Sequence, residues 1–218
     1  MYNAQMPKLQ PTGRRRSRLT RWFDLCKARL IALRHAGQIA RAYHAGDVPE
    51  ALAHARIVIA ADSSHAWANF VVSHDLIERS RYGEALPYLY RVVAEWPDDH
   101  CAYYAVGFCY DALNNPEAAL QAYRKASELA PNDISLFKNI GQNLYAIGEN
   151  AESEVYLRHY CEVMPNDREA HDLLGYVCYQ QGKYLQSYCH YERARALDPM
   201  NPQLDRNARL LYARAATS

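Results

Sequence analysis

No stretch of the chain approaches the roughly 18 unbroken apolar residues that a membrane-spanning helix needs. The first apolar-rich segment is cut by Arg21, Asp24, Lys27 and Arg29, so no signal-peptide core is expected either. None of the six cysteines (Cys26, Cys101, Cys109, Cys161, Cys178, Cys189) belongs to a C-x-x-C pair. Several fall on apolar helix faces, where a free thiol packs as a small hydrophobe. Reduced, buried thiols rather than a disulfide or metal framework are expected, in a reducing compartment such as the cytoplasm. Phosphate-binding and hydrolase signatures are missing as well. There is no G-x-x-x-x-G-K-[ST], G-x-G-x-x-G, H-E-x-x-H or G-x-S-x-G. The nine histidines are scattered. His159 and Cys161, two apart, point in different directions on a helix and are poorly placed to share a metal. No cofactor, metal or catalytic residue is expected.

Acidic residues are absent from positions 1–23, which carry Lys8, Arg14, Arg15, Arg16, Arg18 and Arg21. With a net charge of +1 overall, the remainder is about five units negative by difference. Pro7, Pro11 and Gly13 add to the reading of residues 1–18 as a disordered basic arm. Its candidate ligands are an anionic membrane, nucleic acid or an acidic partner, through Arg14, Arg15, Arg16, Arg18 and Arg21. A solvated tail without a ligand is the plainer alternative. A mitochondrial presequence fits less well, since serine is scarce and proline frequent.

The dominant positive signal is a period. Pro97, Pro131, Pro165 and Pro199 stand 34 residues apart, closing the phrases AEWPDD, ELAPND, EVMPND and ALDPMN. Aligned on these prolines, the units are 66–99, 100–133, 134–167 and 168–201. Each reads as two helices. In 100–133 the first helix carries Tyr103, Val106, Gly107 and Tyr110 at i, i+3, i+4, i+7. Asn114-Asn115-Pro116 makes the turn, and Pro116 opens a second helix with Ala119, Tyr123 and Ala126. Phe137, Ile140, Gly141 and Leu144, then His171, Leu174, Gly175 and Cys178, repeat the stripe, with turns at Gly148 and Gly182.

This pattern resembles the tetratricopeptide repeat family. It puts small residues where paired helices cross, here Gly107, Gly141 and Gly175 against Ala119, Ala126 and Ala194. Tyr160 stands where that family usually has alanine, so wider or shifted packing is expected there. The resemblance implies an all-α, right-handed solenoid of helix-turn-helix repeats whose stacking makes one continuous core. Residues 32–65 keep the register weakly and read as a degenerate first repeat. Its first helix reaches back to about Ser17 through Leu19, Trp22, Phe23, Cys26, Leu30 and Leu33, a stripe placed to cap the N-terminal end. Residues 202–218 read as a capping helix. Leu204, Ala208, Leu211 and Tyr212 cover the last repeat, while Arg206, Arg209 and Arg214 face water.

In such a fold the first helices line the concave surface. The resemblance then assigns Trp67, Phe70, Val71 and His74 from one repeat to the groove. Tyr104 and Phe108 follow from the next, Lys138, Asn139, Gln142 and Tyr145 from the third, and Tyr176 and Tyr179 from the last. Aromatics there are not needed for stacking and suit partner capture. Burial of Trp67, Phe70 and Phe108 by the N-terminal segment or by a second copy is the competing reading. The clamp by which relatives hold acidic chaperone tails is broken: Lys138 and Gln142 imitate its opening, but Leu173 stands where Asn is needed. The expected function is a protein-binding scaffold or adaptor. The alternative is a dedicated chaperone for an apolar client, similar in architecture to the secretion chaperones of this family.

Overall fold

The computed structural model describes the backbone of residues 18–215 and the side chains of residues 30 and 32–212. Eleven α-helices and no strands occur among the described residues: α1 (Arg18–His44), α2 (Val48–Ala61), α3 (Ala66–Glu78), α4 (Tyr82–Glu95), α5 (His100–Ala112), α6 (Pro116–Leu129), α7 (Ser135–Ala146), α8 (Asn150–Val163), α9 (Arg168–Gln180), α10 (Tyr184–Leu197) and α11 (Pro202–Ala215). Each packs on its neighbours in the chain. The result is a right-handed α-solenoid of five helical hairpins closed by α11.

Punctuation recurs every 34 residues. Gly46, Ser80, Asn114, Gly148 and Gly182 share one register position inside the hairpin turn, and all five have positive φ, between 55° and 87°. The left-handed residue lets the following amide reach back, as Arg81 N does to Leu76 O and Lys183 N to Cys178 O. These bonds satisfy carbonyls that the helix end leaves open. Asp47, Asn115 and Asp167 then cap the helices that follow.

The hairpins are locked at one close crossing each. A Cβ added to Gly141 would lie 2.7 Å from Leu157 Cγ; at Gly107 it would lie 2.7 Å from the Tyr123 ring, and at Gly175 3.0 Å from Tyr191. Ser153 and Ser187 donate to the Gly141 and Gly175 carbonyls at 2.6 and 2.7 Å. In 66–99 the same positions hold Ser73 and Leu89, both buried. In the first repeat they hold Ile39 and Ala55, both fully buried in one cluster. The large and small partners have changed sides there, which conserves the volume at the crossing. Residues 32–65 thus form a complete hairpin despite their departure from the sequence pattern.

Tyr160 is buried, 8% exposed, where the family usually has alanine. The buried ring extends toward the inter-repeat turn, where its hydroxyl donates to Asp167 Oδ2 at 2.9 Å. Nearby, buried Glu154 accepts from Arg158, from Lys183 and from Gln181 at 2.8 Å, tying α8 to the α9–α10 turn. Its burial opposes the charge, but the bonds from Lys183 and Gln181 outweigh it and hold the carboxyl below its usual range.

Two expectations for the ends of the solenoid need correction. Leu30 and Leu33 do not cap the core: they are 66% and 75% exposed. The reason is helical phase, because Ala32, Ile39 and Ala42 turn the other side of α1 inward. On α11, Leu204, Ala208 and Leu211 are buried as expected, but Tyr212 is 64% exposed and meets the Tyr188 ring 5.6 Å away. Most of the basic arm lies outside the described residues. Arg18 and Arg21 belong to the backbone of α1.

A histidine pair bridges the two helices of the first hairpin and of the fifth, exactly four periods apart in register. His35 and His54 bring their Nδ1 atoms to 2.8 Å, His171 and His190 to 3.3 Å. His171 Nε2 donates to the Pro165 carbonyl, which leaves its Nδ1 as acceptor for His190. Burial, then the neighbouring His171 and Arg158, push His190 down to about 4, against the pull of Glu154. Burial lowers His171 too, against the Pro165 bond and Asp167 and with Arg193 adding to it.

Two predictions follow from this packing. Gly141→Leu should cost on the order of 1–3 kcal/mol in chemical denaturation, and an unchanged midpoint would mean the crossing is not tight. Below about pH 6.5 the unfolded chain binds protons that the folded His171–His190 pair refuses. Stability should therefore fall as the pH drops from about 7 to 5, by on the order of 1 kcal/mol from this pair. His190→Tyr, the residue at this register in Tyr88 and Tyr156, should reduce that slope in melts compared at the two pH values.

Candidate functional site: the concave groove

The first helix of each repeat presents two kinds of residue. Those at the crossing are buried; those about a third of a turn away look into the concave surface. Val71 belongs to the first kind, only 1% exposed, so it leaves the groove set. The remaining positions fall into three stretches.

At the N-terminal end Trp67, Phe70 and His74 are half-buried around Tyr43 of α1. Its ring lies 5.6, 6.1 and 5.9 Å from theirs, and Trp67 stacks on Phe70 at 5.2 Å. Trp67 Nε1 is buried without an acceptor among the described residues. These aromatics are thus covered in part by the first repeat. Tyr43 was legible all along, being one period before Ile77, but the weak register of 32–65 hid it.

In the middle the aromatics are open. Tyr104 and Phe108 are 36% and 40% exposed. Tyr82 meets the Phe108 ring edge-on at 5.9 Å, and Tyr104 leans on Tyr123 at 5.6 Å. Asp111 is committed: its carboxylate accepts from the buried Tyr123 hydroxyl at 2.7 Å. Beside it, Gln142 is exposed at a polar recess shared with Asn114 and Asn143. Asn139 is half-buried, and its carbonyl accepts from the buried Asn143 side chain at 2.9 Å.

Lys138 is engaged within the fold. Its Nζ lies 2.8 Å from Asp167 Oδ2 and 3.3 Å from Glu169 Oε2, with the Tyr160 ring beneath it. Burial disfavours both charges, but their hydrogen bond outweighs it, so Lys138 is raised and Asp167 lowered. The residue that began the imitation of a carboxylate clamp serves as a strut between α7 and α9. Arg168 likewise sits among Glu169, Asp172 and Asp198.

At the C-terminal end Tyr145 meets Tyr176 edge-on at 5.5 Å, and Tyr176 and Tyr179 lie 6.3 Å apart. Here α11 adds what sequence reasoning missed. Gln203, Asn207 and Leu210 lie one period beyond Glu169, Leu173 and Tyr176, so α11 is a sixth first helix as well as a cap. Together with Tyr176, Tyr179 and the buried Tyr191 they enclose a cavity of about 300 Å³. A second recess continues it past Tyr145 and Asp172, whose carboxyl burial raises above its usual range.

Among the described residues, Asp99, His100 and Cys101 form the one cluster of three ligand-type side chains. They are consecutive, and Asp99 Oδ1 already accepts from the Cys101 amide at 2.9 Å as the cap of α5. Cys109, Cys161 and Cys178 are free, buried thiols that burial pushes up to about 11. No helix among the described residues is long and apolar enough to cross a membrane.

These features define a class: an α-solenoid of helical hairpins with a concave groove, built for contact with other proteins. A tetratricopeptide repeat profile matches residues 76–144, and solved structures similar to this one have the same architecture. YrrB, described as a TPR protein with an unusual peptide-binding site, is 18% identical, with a TM-score of 0.72 over 93% of this chain and 99% of that one. MamA is 15% identical, with a TM-score of 0.67 over 79% and 94%. In sequence the chain is 25% identical over 167 residues to the mouse protein O-mannosyl-transferase TMTC3, covering 69% of this chain and 18% of that protein. It is 29% identical over 87 residues to the small glutamine-rich tetratricopeptide repeat-containing protein 2 of Mycosarcoma maydis, covering 40% and 25%. The chain thus spans a quarter or less of the length of these relatives. Residues 76–144 match the tetratricopeptide repeat, and the chain shares the solenoid fold of such proteins.

The strut is open to test. Lys138→Met should lower stability by on the order of 1 kcal/mol in denaturant titration, because Asp167 loses its charged partner while half-buried. A variant as stable as the parent would show that Tyr160 and the Ala170 amide suffice to hold Asp167.

Proposed function

We propose that the groove holds an extended peptide segment of a partner protein, and that the chain acts as a scaffold or adaptor. One observation carries this reading: aromatic side chains line successive first helices on the concave side, open at Tyr104, Phe108 and Tyr176. Tyr104 and Phe108 form the exposed centre. Tyr145, Tyr176 and Tyr179 continue the line to the cavity at α11. Asn139 and Gln142 offer amide groups for a peptide backbone. The peptide-binding site of YrrB supports such use of this fold. Aromatic contacts at roughly 25 cal/mol per Å², less the ordering cost, make micromolar affinity the expectation for a short peptide.

A second reading, a dedicated chaperone for one apolar client segment, draws on the same cavity. A single client at fixed stoichiometry would mark it, whereas several partners mark a scaffold. We read the chain as non-enzymatic: a transferase is among its relatives, but the match covers 18% of that protein. Free thiols suit a reducing compartment, for which the cytoplasm is the simplest assignment.

Crosslinking pull-down from the native source tests the groove. Tyr104→Ala with Phe108→Ala should abolish partner capture while circular dichroism retains the helix content. Unfolding together with retained capture would assign these rings to the core and move the partner to another face.

A further inference from the structure

The first helix of an ordinary repeat here has 12 or 13 residues, whereas α1 has 27. The excess, before residue 32, lies outside the repeat and needs another account. At about 100° per residue, Ala32, Ile39 and Ala42 fall within roughly 80° of one another, and all three are buried, so they mark the side of α1 that faces the core. Leu30 and Leu33 lie on the far side and are 66% and 75% exposed. In the sequence, Leu19, Trp22, Phe23 and Cys26 precede them at helical spacing.

Basic residues accompany these apolar ones in the sequence: Arg18, Lys27, Arg29 and Arg34. Over residues 1–34 there are nine basic residues and a single acid, Asp24. The rest of the chain has the opposite balance. Leucine, tryptophan and phenylalanine on one face with arginine and lysine at its borders is the pattern of a helix lying in a bilayer interface. Its long basic side chains reach up to the headgroups. Arg14, Arg15 and Arg16 immediately before the helix add to the attraction.

We propose that α1 docks this protein on an anionic membrane surface, with the stripe through Leu30 and Leu33 in the acyl boundary and the flanking arginines on acidic headgroups. Charge complementarity selects this occupant. A second copy would bring like charge against like charge along the whole helix, and a nucleic acid would leave the apolar stripe in water. Leu33 stands one period before Trp67, so the docked stripe adjoins the N-terminal end of the groove, away from its open middle at Tyr104 and Phe108. The chain would then hold its partner at a membrane without spanning it.

Vesicle co-sedimentation of the full chain tests this. Phosphatidylcholine vesicles with about one-third phosphatidylserine should take up the protein; vesicles of phosphatidylcholine alone should not. Leu30→Glu with Leu33→Glu should lower the partition by about tenfold or more, with unchanged melting, since neither side chain packs in the fold. Replacing Arg14, Arg15 and Arg16 by alanine should weaken uptake independently, and raising salt should weaken it further. The proposal falls if anionic vesicles are not bound, or if the leucine double variant binds them as well as the parent. Dimerisation of the parent that the leucine variant abolishes, without vesicle uptake, would assign the stripe to a second copy. Binding of duplex RNA that survives the leucine changes, with vesicles ignored, would make the arm a nucleic-acid contact. Either result overturns the membrane reading.

Discussion

Everything in this molecule depends on how closely the two helices of a hairpin approach. A Cβ at Gly107 or Gly141 would lie 2.7 Å from Tyr123 or Leu157, and one at Gly175 would crowd Tyr191 at 3.0 Å. That approach brings the helix backbones near enough for the Ser153 and Ser187 hydroxyls to reach glycine carbonyls on the partner helix. Once this crossing is set, the hairpin has one orientation, and its apolar face can be buried only by the next hairpin. The first repeat shows that the constraint is on volume rather than residue identity. Ile39 and Ala55 fill the space from the opposite side.

Stacking buries one set of first-helix positions, and the groove is built from the set beside it. It is not uniform. Its N-terminal third is packed by Tyr43 into an aromatic cluster, its middle is open at Tyr104 and Phe108, and its far end is deepened by α11. A helix that ends a solenoid must be apolar toward the last repeat and tolerant of water outside. Leu204, Ala208 and Leu211 meet the first demand. Because α11 follows the first-helix register, Gln203, Asn207 and Leu210 also inherit groove positions, so the cap finishes the groove.

Charge is spent between repeats rather than offered to a ligand. Lys138 joins Asp167 at the end of its own repeat and Glu169 of the next, and Lys183 reaches back to Glu154. These pairs hold neighbouring hairpins in register and leave the groove aromatic and amide in character. The basic excess lies in residues 1–34 of the sequence, with nine basic residues and one acid.

The 34-residue period was sufficient to draw the fold, because each proline, turn residue and small–large pair is a local requirement that recurs. Helix boundaries, the left-handed position at Gly46, Gly148 and Gly182, and the buried Ile140, Leu174 and Ala126 all follow from it. The groove was legible as a set of positions but not as a surface. Register shows that Lys138 faces inward; only the packing of α7 against α9 brings Asp167 and Glu169 to its ammonium. Register places Trp67 and Phe70 on the groove, but the turn of Tyr43 over them depends on how the first hairpin seats against the second. At both ends the sequence shows apolar stripes without showing what they meet. The tertiary structure decided that the α11 stripe through Leu204 turns inward and the α1 stripe through Leu30 and Leu33 outward, because a helix can present only one face to a neighbour, and Ala32 and Ile39 had already taken it.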